Sequence, residues 1–272
     1  MRISLKFLLL LPVLFVISCS ERSQIPNKGF EGKTVQKITL GGGLSALKDP
    51  PKTITAPPEP VPATGPSVSV TMYTKGDKVA YDVPIPIVGS LHFIVDRNSR
   101  TLTALVPNKV AYVSDLRAMD KTRATIDDSL AGHHAFIDSL QAHMPKPTGQ
   151  KKTINGLAAE EYKTSISGTD ITLWLTQDSR LKFYDVIRDA FLGKVQTGLG
   201  GLEEVFAIIG EVAGEGKVPV SMEVVSNGRV LVKSELSEMS EEPVDDAVFE
   251  IPKDYTVQKG GLEGPKKNAS EK

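Results

Sequence analysis

Four histidines, a glycine-rich loop, several pairs of adjacent acids and one cysteine are among the residues of this 272-residue chain whose types could do chemistry. A metal site is the sharp reading of His133, His134 and His143, which fall in or beside a stretch with helical spacing. Adjacent histidines point to different sides of a helix, however, and no carboxylate pair completes an i, i+4 ligand face, so they read as solvated helix residues. His92 stands in a strand pattern and reads as a half-buried sheet residue. Gly198-Leu199-Gly200-Gly201 precedes a helical pattern, as phosphate-binding loops do. No parallel strand leads into it and no Lys-Ser/Thr pair follows, so it reads as a hinge or lid connection. Asp127-Asp128, Glu160-Glu161, Glu241-Glu242 and Asp245-Asp246 read as solvated charge, the usual role of side-by-side acids on loops and helix surfaces. No Gly-x-Ser-x-Gly elbow, His-Glu-x-x-His helix or Cys-x-x-Cys pair occurs. The expectation is a non-catalytic protein with no cofactor and no metal.

Cys19 is the single cysteine, and its position gives it a different use. Arg2 and Lys6 precede an apolar stretch, Phe7 to Ile17, that is too short to span a bilayer and is followed by polar chain, the pattern of an export signal. Val16-Ile17-Ser18-Cys19 at its end resembles the bacterial lipoprotein processing box. That resemblance implies removal of residues 1–18 and lipidation of Cys19, which anchors the chain to a membrane of the bacterial envelope. Acyl chains bury dozens of methylenes at about 0.8 kcal/mol each, so such an anchor is effectively permanent. Ser20 follows where an aspartate would signal inner-membrane retention, so the periplasmic face of the outer membrane is favoured.

Composition sets the remaining bounds. With 32 basic and 33 acidic residues and a pI near 6.5, the chain has no electrostatic footprint for nucleic acid. At 40% apolar and 24% charged residues, it has the makings of a folded core. Residues 19–66 read as a tether: Thr34 to Leu40 offers one short strand, and Gly41 to Pro66 is rich in glycine and proline, hence flexible in parts and extended in others. Residues 67–257 read as the folded domain, and 258–272 as a disordered tail.

Within the domain the apolar residues alternate at period two. Ser67 to Met72, Lys78 to Val83, Leu91 to Val95, Thr101 to Val106 and Val110 to Val113 read as an antiparallel meander with turns at Lys75-Gly76-Asp77, Asp96 to Arg100 and Pro107 to Lys109. Ser114 to Met144 has an incomplete helical spacing that fits two helices or one kinked helix equally. After a Pro145 to Gly149 loop, Asn155-Gly156 and Asn227-Gly228 mark two further hairpins, Leu157 to Ile166 and Val218 to Ser237 supplying strands. Phe183 to Leu192 and Leu202 to Val212 read as helices. The predicted class is α+β, a curled antiparallel sheet with helical insertions covering one face.

Tyr73 to Lys78, Val95 to Leu105, Ile154 to Tyr162, Trp174 to Asp178, Pro219 to Glu223 and Phe249 to Tyr255, in that order, resemble an uncharacterised family of bacterial exported proteins and lipoproteins whose domain is similar to the LolA/LolB lipoprotein carriers. The resemblance implies an unclosed half-barrel whose concave side is plugged by helices, with an apolar cavity between. Periodicity places Val70, Met72, Val79, Tyr81, Phe93, Leu102, Leu173 and Leu175 on its wall from the strands, and Phe191, Val205, Phe206 and Ile209 from the helices. A filled core has the same sequence signature. Two functions therefore stand: a lipid-anchored module that holds a lipid or other hydrophobic ligand, or an envelope structural protein that docks a protein partner.

Overall fold

Hairpins form where the sequence supplies residues that accept the left-handed backbone region. Asn155 and Gly156 have φ of 47° and 78°, and Asn227 and Gly228 have 51° and 70°, the pair of positive values that a two-residue turn between twisted strands requires. These turns are seen in a computed structural model that describes residues 30–41, 65–85, 89–116, 142–166, 168–181 and 216–259.

Twelve strands make one sheet. They are β1 (Gly32–Leu40), β2 (Ser67–Lys75), β3 (Lys78–Ile85), β4 (Gly89–Asp96), β5 (Thr101–Val106), β6 (Val110–Asp115), β7 (Lys146–Ile154), β8 (Leu157–Ile166), β9 (Thr169–Thr176), β10 (Val218–Ser226), β11 (Arg229–Ser240) and β12 (Thr256–Lys259). Their order is β12-β6-β5-β4-β3-β2-β1-β11-β10-β9-β8-β7. All pairings are antiparallel except that of β12 with β6, so the sheet is mixed. Its outer strands, β12 and β7, do not meet, and the sheet is not closed. β7 is an exposed edge carrying Pro147, Lys146, Lys151 and Lys152, residues that discourage pairing with another chain.

These findings correct the α+β expectation of a LolA-like sheet covered by helices. The described residues are nearly all β, with two short 3-10 turns, Ser179–Leu181 and Asp246–Phe249, as the other regular elements. The segments read as helical, 183–192 and 202–212 and most of 114–144, lie outside the described residues. The sheet is also larger than the sequence patterns suggest. β1, read as a strand within the tether, is a central strand that pairs with β2 on one side and β11 on the other. The folded unit therefore begins ahead of residue 67. β7 starts at Lys146, inside the segment read as a loop, and β12 extends to Lys259, into the segment read as a disordered tail.

Two apolar layers flank the sheet. The larger contains residues of nearly every strand, from Ile38 through Val79, Phe93 and Leu173 to Leu236. The smaller lies on the opposite face, where Val244 and Phe249 of the C-terminal segment cover Ala80, Ile94, Leu105 and Ala111. That segment is held by polar contacts as well. Lys75 Nζ donates to the Val244 carbonyl at 2.9 Å and pairs with Asp246 at 3.0 Å. Irregular pairings in β1, β7 and β10 add twist and bend to the sheet.

Candidate functional site

The eight strand-borne wall candidates lie on one face and in one cluster. Val70, Met72, Val79, Tyr81, Phe93, Leu102, Leu173 and Leu175 are all buried, Leu173 completely. Strand register sets them side by side: Thr34, Met72, Tyr81, Phe93, Ala104 and Tyr112 are successive partners across β1 to β6. On the other half of the sheet Leu173 stands between Met222 of β10 and Tyr162 of β8. Cys19, Phe191 and Phe206, together with Val205 and Ile209, lie outside the described residues.

The sheet curls toward this face, because the Asn155 amide in the β7–β8 turn reaches the Leu236 carbonyl of β11, three strands away, beside the buried Ile154 and Leu157. The tip of the β7–β8 hairpin turns over it, so that Ile154 and Leu157 join the same cluster as Ile38 and Leu236. The layer is not wholly apolar. Thr34 and Ser234 are buried in it, Gln36 Nε2 donates to Ser234 Oγ at 2.5 Å, and Thr74 Oγ1 is buried with no hydrogen-bond partner among the described residues.

A cleft of about 610 Å³ opens at the β7–β8–β9 end. Tyr162 and Leu175 line it and also belong to the apolar cluster, while Lys151, Lys152, Lys217, Glu160, Gln177 and Asp178 contribute polar lining. Lys217 Nζ lies 4.9 Å from the Tyr162 ring centroid, and Lys152 Nζ lies 4.0 Å from that of Trp174. Asp178 is gripped by Arg180, whose Nε and Nη2 donate to its two carboxylate oxygens at 2.9 and 2.8 Å. These bonds hold the Asp178 carboxyl below the usual range. Arg180 Nη1 also reaches Glu241 at 2.6 Å. The sequence reading missed this cleft because its lysines and aromatics are far apart in the chain and meet only through strand pairing.

His92 does sit half-buried in the sheet. Its Nδ1 is 2.7 Å from Asp82 Oδ1, its cross-strand partner, and Nε2 donates to the Val248 carbonyl at 2.8 Å. Both nitrogens are thus engaged in the protein. Burial and the neighbouring Asp82 carboxylate push the Tyr73 hydroxyl above its ordinary pKa on the same face. Among the described residues no group of three or more His, Cys, Asp or Glu side chains could hold a metal ion. No described helix is long and apolar enough to cross a membrane.

No model of a known protein family matches the chain, and no curated protein does. Among solved structures, that of PNGF-II in a C2 space group is similar at 12% sequence identity and a TM-score of 0.35, over 85% of this chain and 31% of that one. The chain thus spans under a third of the length of PNGF-II, and no argument rests on so distant a likeness.

Proposed function

We propose that this chain is a lipid-anchored protein of the bacterial envelope, favouring the periplasmic face of the outer membrane, whose folded part binds an acyl chain or another hydrophobic ligand without catalysis. One observation carries the ligand-binding part. The concave face of an unclosed sheet is lined by continuous cross-strand rows of apolar side chains, and a cleft at one end reaches that layer through Tyr162 and Leu175. A cleft of several hundred cubic ångströms that touches an apolar layer has the size of a small-ligand site. The anchoring part rests on the export signal ending at Cys19.

Two measurements test it. The chain from residue 20 onward, purified without detergent and extracted with organic solvent, should release lipid in about one-to-one ratio by mass spectrometry. It should also take up the neutral fluorescent probe N-phenyl-1-naphthylamine. A folded, lipid-free protein that ignores the probe overturns the ligand reading and moves the weight to a protein partner. For the anchor, the full chain should carry acyl groups on Cys19 and lose them with its membrane association in Cys19→Ser.

A further inference from the structure

β1 decides how far the fold can stand from its anchor. Because Gly32–Leu40 is a strand of the sheet, paired with β2 and β11, the glycine- and proline-rich stretch after it does not lie between Cys19 and the folded part. That stretch leaves the sheet at Gly41 and rejoins it at Gly65. There the Leu40 N–H donates to the Pro66 carbonyl at 3.1 Å and the Gly41 N–H to the Leu231 carbonyl at 2.8 Å. The link from Cys19 to the fold is therefore residues 20–29 alone, ten residues that span at most about 35 Å at full extension.

Strand register shows which end of the sheet those ten residues meet. Lys33, at the start of β1, stands opposite Tyr73 of β2 and Ser240 of β11. The β2–β3 and β4–β5 turns lie at the same end, where Lys78 faces Asp96. So does the cleft: Thr176, Gln177 and Asp178 in its lining follow the end of β9, and Arg180 beside them reaches Glu241, just past the end of β11. Gly41, the β10–β11 turn and the start of β9 at Thr169 and Asp170 lie at the opposite end. The nine residues of β1 set the two ends about 30 Å apart. For the far end to touch a bilayer that holds Cys19, residues 20–29 would have to run back along the whole strand at nearly full stretch, at a large cost in conformational entropy. The near end meets the bilayer without that cost.

We infer that the end of the sheet where β1 begins faces the anchoring bilayer, and that the cleft there takes its hydrophobic ligand, a membrane lipid, directly from that bilayer. This rests on the readings that Cys19 is acylated and that the concave layer takes a hydrophobic ligand, and adds the source of the ligand and the surface that meets it. A site tethered within a few tens of ångströms of a bilayer meets lipid at a high effective concentration, whereas lipid monomers are scarce in water because their chains are apolar. Tyr162 and Leu175, which line the cleft and belong to the buried apolar layer, give the chain a route inward.

The test uses the full chain, acylated at Cys19, in phosphatidylcholine vesicles. Cys19 is the only cysteine, so with its thiol acylated an introduced cysteine can be labelled alone. Ser99→Cys and Gln177→Cys place a nitrobenzoxadiazole fluorophore at the near end, and Asn108→Cys and Asp170→Cys place it at the far end; all four positions are exposed. Phosphatidylcholine with a nitroxide on its head group should quench the first pair severalfold more than the second. With a trace of phosphatidylcholine bearing a diazirine at the end of its chain, irradiation should give adducts at Tyr162 and Leu175, severalfold more than when the chain from residue 20 onward is added to the same vesicles. Equal quenching of both pairs overturns the orientation and leaves the anchor and ligand readings standing. Near-end quenching with no adducts in the cleft, or with as many for the unanchored chain, overturns supply from the anchoring bilayer; lipid extracted from the unanchored chain then shows that the ligand reading survives. A Cys19 without acyl groups removes the anchor reading and this inference with it.

Discussion

Asn155, in the turn between β7 and β8, donates its side-chain amide to the Leu236 carbonyl on β11. β8 and β11 are three places apart in the sheet, about 14 Å if the sheet were flat. The bond therefore marks how far the sheet has bent, and it locks the hairpin tip over the concave face. Asn155 also holds a φ of 47°, which asparagine accepts more readily than most residues. Asn155→Gly keeps the turn and loses the bond, and should cost about 1 kcal/mol. Asn155→Val loses both and should cost a further 1–2 kcal/mol or so. Urea unfolding midpoints separate the two; equal losses would show that the turn conformation contributes nothing.

On the opposite face, His92 ties the 3-10 turn at Asp246–Phe249 to the sheet through the Val248 carbonyl, with Asp82 behind it. Replacing it by leucine leaves the carbonyl and the carboxylate each short of a donor, at a cost of about 1–3 kcal/mol. The loss should be local. Lys75 and Phe249 still hold the segment, so amide exchange in His92→Leu should rise first at residues 247–259 and leave β10 and β11 unchanged. Uniform acceleration over the whole sheet would contradict a local tie.

Acid should weaken the fold partly through Asp178. Its carboxyl lies below the ordinary range because Arg180 hydrogen-bonds its ionised form. The stability it contributes is full above the unfolded value of about 4 and is lost as pH falls through the lower folded value. Both side chains are partly solvated, so the contribution should be about 1 kcal/mol. Urea midpoints measured downward from about pH 5 should fall less steeply in Asp178→Asn than in the parent chain, and parallel curves would rule this pair out.

Local chemistry explains which parts of this fold were legible in the sequence. Asn-Gly turns and period-two alternation identify β8, β10 and β11 and the meander β2 to β6, and the same alternation places eight residues on one buried face. The parts that were not legible depend on partners distant in the chain. β1 reads as a short strand over Thr34 to Leu40, but its central place in the sheet does not show, because the partner of Gln36, Leu236, lies two hundred positions later. β12 is polar and pairs in parallel with β6, and most of β7 is exposed on both faces, so neither shows the alternation by which a half-buried strand is read. The cleft required Lys217 to meet Tyr162, which no spacing announces.

The same dependence makes β1 the strand whose loss should be felt most. It joins the two halves of the sheet, pairing with β2 over Gly32–Thr39 and with β11 over Lys33–Leu40, and it buries Ile38 in the concave layer. A chain beginning at Ser67 would expose the ladder edges of β2 and β11 and open the core between them. It should fail to give a cooperative thermal transition and should aggregate, whereas a chain beginning at Phe30 should melt as the chain from residue 20 does. Point changes test the strand without deleting it. A Cβ added at Gly41 would lie 1.6 Å from the Val230 carbonyl oxygen, and one at Gly32 would lie 2.1 Å from that of Ser240. Backbone atoms cannot step aside as a flexible side chain can, so Gly41→Ala and Gly32→Ala should each cost more than about 2 kcal/mol. If the chain from Ser67 instead folds with an unchanged midpoint, β2 must pair directly with β11, and the sheet would then be an eleven-stranded one to which β1 is accessory.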